Sequence, residues 1–259
     1  MTSADTPSPA ADDTPLDYAL AAAGPITPDR SAEARRHPGL LLAAALAAAA
    51  VLLIAVLGAT LARGVQFEFD RAVLLALRHG GAPGVPVGPG WFEQAMLDIT
   101  ALGGGTVLTL VTLAAIGWLL LRRHVLTAAL LAAGVVSGSL AIAAAKAIVG
   151  RVRPEFVDHL VEAGSASFPS GHSGNSAIVY ATLALLLAQI TAGRRERLYL
   201  AGGALLLVLL IGFSRMYLGV HFPSDVLAGW SFGLLWALGW WALGGWLRDR
   251  AGRRRAAAP

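Results

Sequence analysis

The sequence of 259 residues has no cysteine and few charged side chains. Without cysteine, the chain can build neither a disulfide scaffold nor a cysteine-ligated metal site. Charged residues make up 14% of it, whereas about 25% is usual in globular proteins. Because 56% of the residues are hydrophobic, the composition excludes a chain that is disordered throughout and argues against an ordinary soluble enzyme.

Lysine is scarce as well. Lys146 is the single lysine, so 19 of the 20 basic residues are arginines, and with 16 acidic residues the formal net charge is +4. A basic soluble domain would indicate nucleic acid as a partner, but that requires basic residues clustered on a polar surface. The arginines here flank long apolar runs, so we expect no nucleic-acid partner.

The chain contains six apolar runs, each long enough to cross a membrane. A helix needs about 20 apolar residues to cross roughly 30 Å of hydrocarbon, and the backbone inside a bilayer must satisfy its own hydrogen bonds. We therefore predict an all-α integral membrane bundle of six transmembrane helices. The predicted spans are Leu40–Leu61, Ile99–Leu121, Val125–Val149, Ser173–Ile190, Leu198–Val220 and Val226–Leu247.

The remaining segments complete the predicted domain plan. Residues 1–36 are rich in Ala, Pro, Thr, Ser and Asp and are expected to form a disordered cytoplasmic tail. Residues 37–250 form the membrane domain, and residues 251–259 form a basic cytoplasmic tail. Between the first two spans, residues 63–98 are expected to form a short outer-face subdomain, or else a partly ordered linker. Helical spacing predicts short helices there, at Phe69, Val73, Leu74 and Leu77 and at Trp91, Phe92 and Met96.

The arginines also predict the orientation of the chain. If the N-terminus is cytoplasmic, 13 of the 20 basic residues lie on the inner side and 7 on the outer side. Basic residues favour cytoplasmic loops, and the clusters at 122–123 and 194–197 account for most of the difference. This distribution predicts that both termini are in the cytoplasm. The composition rich in Ala, Gly and Arg, with one lysine, suggests a GC-rich bacterial genome, so we predict a multi-pass protein of the bacterial cell (inner) membrane.

Polar residues gather in three segments, Lys146–Pro154, Pro169–His172 and Ser214–Asp225. The predicted topology places all three at the outer face, so they can meet at one depth in the membrane. Lys146, Arg153 and Arg215 supply three cations, and arginine offers paired donors matched to phosphate oxygens. Ser170, Gly171 and His172 stand where a helix begins, so free backbone N–H groups and the helix dipole can face an anion.

The third segment provides a candidate nucleophile. Pro223 suits the first position of a helix and places Asp225 in its first turn, four residues after His221. Asp225 can accept a hydrogen bond from one imidazole nitrogen of His221, which leaves the other as an electron-rich acceptor or nucleophile. His172 is a second group for proton transfer. The neighbouring loop residues Arg151, Glu155, Asp158, His159 and Glu162 are expected to be solvated.

These residues also carry a family resemblance. Lys146-x6-Arg153-Pro154, Pro169-Ser170-Gly171-His172 and Ser214-Arg215-x5-His221-x3-Asp225 resemble the three signature motifs of the type 2 phosphatidic acid phosphatase (lipid phosphate phosphatase) superfamily, with every signature position present in order. The resemblance implies that His221 attacks phosphorus to form a phosphohistidine, while Asp225 holds its ring. His172 would protonate the leaving oxygen and then help to activate water.

The same resemblance implies a phosphate site made by the protein alone. Lys146, Arg153 and Arg215, with Ser170 and the Gly171 amide, would bind the phosphoryl oxygens, and Ser214 would support them. Family members of this kind need no metal or other cofactor, so we expect none here.

Several functions remain open from the sequence. The first choice is hydrolysis of a lipid phosphate or diphosphate at the outer leaflet, with undecaprenyl diphosphate as the leading substrate. Phosphatidylglycerol phosphate, phosphatidic acid and diacylglycerol diphosphate are alternatives, as is transfer of the phosphoryl group to another hydroxyl. A transporter or lipid-binding scaffold is disfavoured because the charges lie at the ends of the spans rather than near their middle. The oligomeric state is not specified.

Overall fold

The computed structural model describes residues 38–80, 82 and 84–256, and these residues form eight helices and no β-strand. The predicted all-α fold is therefore confirmed, while the predicted tail 1–36 lies outside the described residues. The chain divides into two compact units, Met1–Leu46 and Ala47–Pro259. All residues of the three polar segments belong to the second. The helices are α1 Pro38–Ala62, α2 Glu68–Ala76, α3 Gly90–Ala101, α4 Gly105–Leu121, α5 Val125–Val149, α6 Gly171–Ile190, α7 Arg194–Tyr217 and α8 Pro223–Ala256.

Within the described residues, four helices are long and apolar enough to cross a membrane by themselves. They are α5, α6, α7 and the part of α8 from Pro223 to Ala251. Helices α3 and α4 meet the same criterion as a pair joined by a 51° bend, and Ala47–Ala62 of α1 is a shorter apolar helix. The chain is a multi-pass membrane protein, and the count of six spans stays a prediction.

The second predicted span, Ile99–Leu121, is where the fold differs from expectation. Residues 99–101 belong to α3, and α4 starts only at Gly105 after the bend. Gly103, Gly104 and Gly105 follow one another here, and each glycine weakens a helix by about 1 kcal/mol relative to alanine. The short turn predicted around Trp91 is consequently the start of a three-turn helix, whose Phe92 ring packs edge-on against Tyr217 with centroids 5.1 Å apart.

Helix α2 is present where its spacing predicts it, and its inner face is partly polar. Leu74 is fully buried, whereas Phe69 and Val73 are exposed. Asp70, one turn before Leu74, is also buried. A carboxylate is rarely buried without a partner, so α2 is held in place by something other than apolar contact alone.

Small residues bring α6 and α8 into close contact. A methyl group added at Gly229 would lie 2.9 Å from the carbonyl oxygen of Ser170 and 3.0 Å from the amide nitrogen of Gly174. One turn later, a methyl group at Gly233 would lie 2.7 Å from the carbonyl oxygen of Gly174. Glycines four residues apart allow helix backbones to approach closely in a membrane. The start of α6 is thereby fixed against the first turns of α8.

Tryptophans of α8 fill complementary gaps on its neighbours. The indole N–H of Trp236 donates to the carbonyl of Gly134 on α5, and that of Trp230 donates to Val208 on α7, each at 2.9 Å. These bonds satisfy the only polar atom of each indole inside the bundle. Helix α8 continues to Ala256, and the predicted basic cytoplasmic tail 251–259 stays a prediction.

Candidate active site

The ends of four helices bring the three polar segments together. Helices α5 and α7 end where α6 and α8 begin, and direct contacts join the segments. Ser170 N donates to the carbonyl of Asp225 at 3.0 Å, Arg153 Nη1 donates to the carbonyl of Val220 at 2.5 Å, and the Lys146 stem passes beside Gly171. The convergence expected from topology is present in the structure.

Asp225 lies beside His221 at the start of α8. Pro223 begins this helix, and Asp225 is in its first turn, as the sequence predicts. Asp225 Oδ2 is 3.5 Å from His221 Nδ1 and accepts from the backbone N–H of Phe222 at 3.0 Å. Ser167 lies between them: its hydroxyl donates to Asp225 Oδ2 at 2.5 Å and is 3.3 Å from His221 Nδ1. Ser167 thus links the ring to the carboxylate.

The contacts of His221 define its tautomer. Arg153 Nη1 is 3.2 Å from His221 Nε2. A guanidinium has donors only, so Nε2 must be the acceptor and the ring proton must be on Nδ1, towards Ser167 and Asp225. Burial lowers the pKa of His221 to about 4, although the hydrogen bond and charge of Asp225 act in the opposite direction. At neutral pH the ring is neutral, with a lone pair on Nε2.

Three cations from different elements lie close together at this site. Lys146 is in the last turn of α5, Arg215 is in the last turn of α7, and Arg153 is in the loop between α5 and α6. They are close enough to interact electrostatically with one another. Arg215 is buried, and its Nη1 donates to Thr100 Oγ1 at 2.8 Å. Its Nε has no hydrogen-bond partner among the described residues.

The start of α6 supplies backbone donors and a second histidine. Ser170 is the N-cap, and its Oγ accepts from Ser173 Oγ at 3.0 Å. A methyl group added at Gly171 would lie 3.3 Å from Lys146 Cε, so the lysine stem lies against the first residue of the helix. His172 faces the bend between α3 and α4, where a methyl group at Gly104 would be 4.0 Å from its Nε2. His172 and His221 interact electrostatically.

Ser214 is engaged inside its own helix. It is fully buried on α7, and its hydroxyl donates to the carbonyl of Ile211 at 2.7 Å. The proton of this hydroxyl is therefore used within α7, and its predicted support of phosphate stays a prediction.

The prediction that Arg151 is solvated was wrong. Arg151 is buried between two carboxylates, 2.8 Å from Asp70 and 2.6 Å from Asp225. The loop residues Glu155, Asp158, His159 and Glu162 are exposed, as expected.

Asp70, Ser167 and Ser224 were also missed. One signal was available for Asp70, because it lies one turn from Leu74 on the apolar face of α2. Ser167 and Ser224 have no such signal, since a single serine beside a motif or at one of its unspecified positions is ordinary.

The donor set of the site is cationic rather than metal-binding. Within residues 38–80, 82 and 84–256, no group of three or more His, Asp or Glu side chains is placed to hold a metal ion. The two carboxylates of the site are already paired with Arg151. A site with this charge fits an anion of two or more charges.

Comparison with known proteins gives consistent matches over the same region. The family model described as the PAP2 superfamily matches residues 124–249. Phosphatidylglycerophosphatase B of Bacillus subtilis (strain 168) is 36% identical over 149 residues, which cover 56% of this chain and 71% of that protein. Lipid A 1-phosphatase of Rhizobium etli is 36% identical over 107 residues, which cover 38% of this chain and 40% of that protein.

Solved structures extend the likeness beyond the region of the family model. The crystal structure of a transmembrane PAP2 type phosphatidylglycerolphosphate phosphatase from Bacillus subtilis matches 79% of this chain and 96% of its own, with a TM-score of 0.67 and 28% identity. Aquifex aeolicus LpxE matches 68% of this chain and 96% of its own, with a TM-score of 0.53 and 22% identity, and this likeness concerns the fold alone.

Proposed function

Because the chain belongs to the PAP2 superfamily and is a lipid phosphate hydrolase of the membrane, we propose that it removes phosphate from phosphatidylglycerol phosphate or a closely related lipid phosphomonoester. Both Bacillus subtilis relatives are named for that substrate. Lipid A 1-phosphate is the second candidate because the Rhizobium relative is named for it. Undecaprenyl diphosphate, the first choice from sequence, has no such support and becomes a comparison substrate.

One observation carries the proposal: the unprotonated Nε2 of His221 faces Arg153, while its Nδ1 faces Ser167 and Asp225. This arrangement suits nucleophilic attack on phosphorus. In the first step, the Nε2–P bond forms and the bond from phosphorus to the lipid oxygen breaks. His172, protonated in the substrate complex, where the phosphate charge offsets the cations around it, gives its proton to the leaving oxygen. The ring of His221 becomes cationic, and Asp225 stabilises that charge.

The second step regenerates the enzyme. A water molecule gives one proton to His172, and its oxygen attacks phosphorus. The Nε2–P bond breaks, phosphate leaves, and the electron pair returns to His221. His172 thus serves as acid and then as base, as the reversal of the first step requires. The net reaction is the lipid phosphate plus water giving the lipid alcohol and phosphate.

The cations supply the charge stabilisation. Phosphoryl transfer requires mainly positioning and neutralisation of oxygen charge. Lys146, Arg153 and Arg215 provide positive charge, and Ser170 with the Gly171 amide provides neutral donors. Arg153 exchanges its contact with Nε2 for a phosphoryl oxygen when the substrate binds. The charge that a divalent ion gives in kinases comes here from side chains, so hydrolysis proceeds with a chelator present.

The membrane defines how the substrate arrives. We place the site at the outer face of a bacterial cell membrane, with both termini of the chain in the cytoplasm, from the distribution of its arginines. The lipid tails remain in the bilayer while the head group reaches the cations at the helix ends. The lipid phosphate and the bilayer are therefore the partners of this protein.

Phosphate release from a lipid panel tests the function. Purified protein in detergent micelles is given phosphatidylglycerol phosphate, phosphatidic acid, lipid A 1-phosphate or undecaprenyl diphosphate, with and without EDTA. We expect the highest kcat/KM with phosphatidylglycerol phosphate and no loss with EDTA. His221→Ala should reduce kcat by at least about 10³-fold without changing the melting temperature by more than a few degrees, whereas the exposed His79→Ala should match wild type.

Three results would contradict this proposal. They are absence of release from every lipid, complete dependence on a divalent metal, and full activity of His221→Ala. A higher kcat/KM with one of the other lipids would keep the chemistry and change the substrate.

A further inference from the structure

Asp70 reaches the site from a part of the chain that the family model does not match. It lies on α2, before residue 124, where the PAP2 match begins. Its side chain is 1% exposed, and it contacts Arg151 and Ser224. A buried carboxylate with partners from two catalytic segments calls for a reason, since burial of an ion is costly unless it is paired.

Arg151 connects Asp70 to the catalytic carboxylate. Its Nη2 donates to Asp70 Oδ2 at 2.8 Å, and its Nη1 donates to Asp225 Oδ1 at 2.6 Å. The guanidinium also lies over the ring of Phe222, 3.9 Å from its centroid. Asp225 Oδ1 is thereby occupied, which leaves Oδ2 for Ser167 and His221.

Ser224 forms a second connection between the same groups. Its backbone N–H donates to Asp70 Oδ1 at 2.8 Å, and its hydroxyl donates to Asp70 Oδ2 at 2.6 Å. The same hydroxyl accepts from Arg151 Nη1 at 2.7 Å. Asp70 therefore binds the first turn of α8, where a negative charge is favourable. That turn carries Asp225.

We propose that Asp70, acting through Arg151 and Ser224, is a positioning residue for Asp225 and hence for the reacting ring of His221. The inference rests on the proposed function, since it concerns how the same site is kept active. It adds to the machinery two ionic residues that are not signature positions: Asp70, which lies outside the three motifs, and Arg151, which is one of the six unspecified residues between Lys146 and Arg153.

The physical reason is the sharing of one guanidinium between two carboxylates. With Asp70 present, Arg151 directs one terminal nitrogen to each carboxylate and binds Asp225 through a single oxygen. The nitrogen that faces Asp70 also donates to Gln66 Oε1 at 3.1 Å. Without the charge of Asp70, Arg151 can turn towards the two-pronged pairing that guanidinium and carboxylate prefer. Asp225 Oδ2 would then be withdrawn from Ser167 and His221, and the proton on Nδ1 would lose its acceptor.

A double-mutant cycle tests this proposal. Asp70→Asn keeps the size of the side chain and removes its charge, and Glu68→Gln is a matched control on an exposed position of the same helix. Each of the two substitutions is introduced into the wild-type protein and into Asp225→Asn. The kcat and KM are measured by rapid-quench release of ³²P from the lipid of the panel that gives the highest kcat/KM. In wild type, we expect Asp70→Asn to lower kcat by about 10- to 100-fold with KM changed less than about twofold.

Non-additivity is the result that separates positioning from mere stability. In the Asp225→Asn background, Asp70→Asn should change kcat by less than about twofold, because its effect passes through Asp225. Equal losses in both backgrounds, no loss in wild type, or a rise in KM alone would overturn the proposal. If Asp70→Asn does not fold, Arg151→Lys, which keeps the charge but not the two donors, should give the same non-additivity.

A measurement without turnover separates this inference from the proposed function. In protein labelled with ¹⁵N-histidine, the His221 signals, assigned by their absence in His221→Ala, should report the proton on Nδ1. Asp70→Asn should make the ring exchange between its two tautomers, and an unchanged spectrum would contradict the positioning role. Absence of phosphate release by wild type would instead contradict the proposed function.

Discussion

The two ring nitrogens of His221 have different partners, and each partner fixes one property of the ring. Asp225 and Ser167 hold the proton on Nδ1, and Arg153 faces the lone pair on Nε2. Burial keeps the pKa of His221 near 4, well below 6.5, so the neutral form persists as the pH falls through 6. A nucleophile that is neutral throughout the physiological range needs no separate base.

Lys146 shows, at the scale of a single residue, why a positive charge alone is not sufficient to place a phosphate donor. Its Nζ donates to the carbonyl of Ala166 at 2.5 Å, and its stem passes close to Gly171. In Lys146→Arg, the guanidinium carbon would take the place of Nζ, but a carbon needs about 3.5 Å from its neighbours. The guanidinium must therefore shift away from the phosphate position.

We expect Lys146→Arg to lower kcat/KM by about 10- to 100-fold, the equivalent of one lost hydrogen bond to a charged group. The measurement is phosphate release at equal amounts of folded protein. Arg195→Lys, a change between the same residue types at an exposed position of the inner loop, is the control and should match wild type. Wild-type rates in Lys146→Arg would mean that only the positive charge matters.

The sequence predicts the site residues that stand at a fixed spacing in the chain. It misses the residues that connect them through contacts between distant segments. His221 and Asp225 can be predicted because their spacing around Pro223 follows from helix geometry. Arg151 cannot, because its burial depends on Asp70, 81 positions earlier in the chain. An arginine two residues before Arg153 in a polar loop has the same local pattern whether it is solvated or paired.

At the scale of elements, the crossing of α6 and α8 determines where the phosphate donors stand relative to the nucleophile. Gly229 of α8 faces the carbonyl of Ser170 and the amide of Gly174. Separation of the two helices by even one methyl group would move Ser170 and Gly171 away from His221. The glycine is thus required by the close approach of two backbones.

We expect Gly229→Ala to reduce kcat/KM by at least about tenfold and to destabilise the protein by about 1–3 kcal/mol, the usual cost of overpacking. Phosphate release and thermal unfolding in the same detergent measure the two effects. The matched control is Gly239→Ala on the same helix, where an added methyl group has no atom within 4 Å. Equal kcat/KM and equal stability of the two variants would contradict the claim that the crossing of α6 and α8 positions the phosphate donors.

The bend between α3 and α4 marks the limit of prediction for elements. Hydropathy correctly finds an apolar region over Ile99–Leu121, because glycine hardly changes a hydropathy average. The three glycines 103–105 permit a break, but its position against His172 and Ile211 depends on packing. Those contacts belong to distant segments, so no local pattern contains them. The bend also places Thr100 beside Arg215, which a straight span would not predict.

At the scale of the whole molecule, composition and the distribution of arginine predict most of the architecture. A helical membrane protein follows from the apolar runs, and the convergence of the polar segments follows from the alternation of helix directions. Contacts among described residues now join those segments. The side of the membrane on which they meet rests on the arginine count alone, and it therefore needs its own test.

The absence of cysteine makes that test direct, because one introduced thiol is the only target for a maleimide. Glu162 lies in the loop between α5 and α6, and Glu196 lies at the start of α7, and both are exposed. These segments are at opposite ends of the bundle, because one span separates them.

In intact bacterial cells or spheroplasts, a membrane-impermeant maleimide should label Glu162→Cys before permeabilisation and Glu196→Cys only afterwards. The two variants control for each other, since both replace an exposed glutamate and retain every arginine that orients the chain. The opposite pattern would place the site in the cytoplasm, and the substrate would then have to be a lipid phosphate of the inner leaflet.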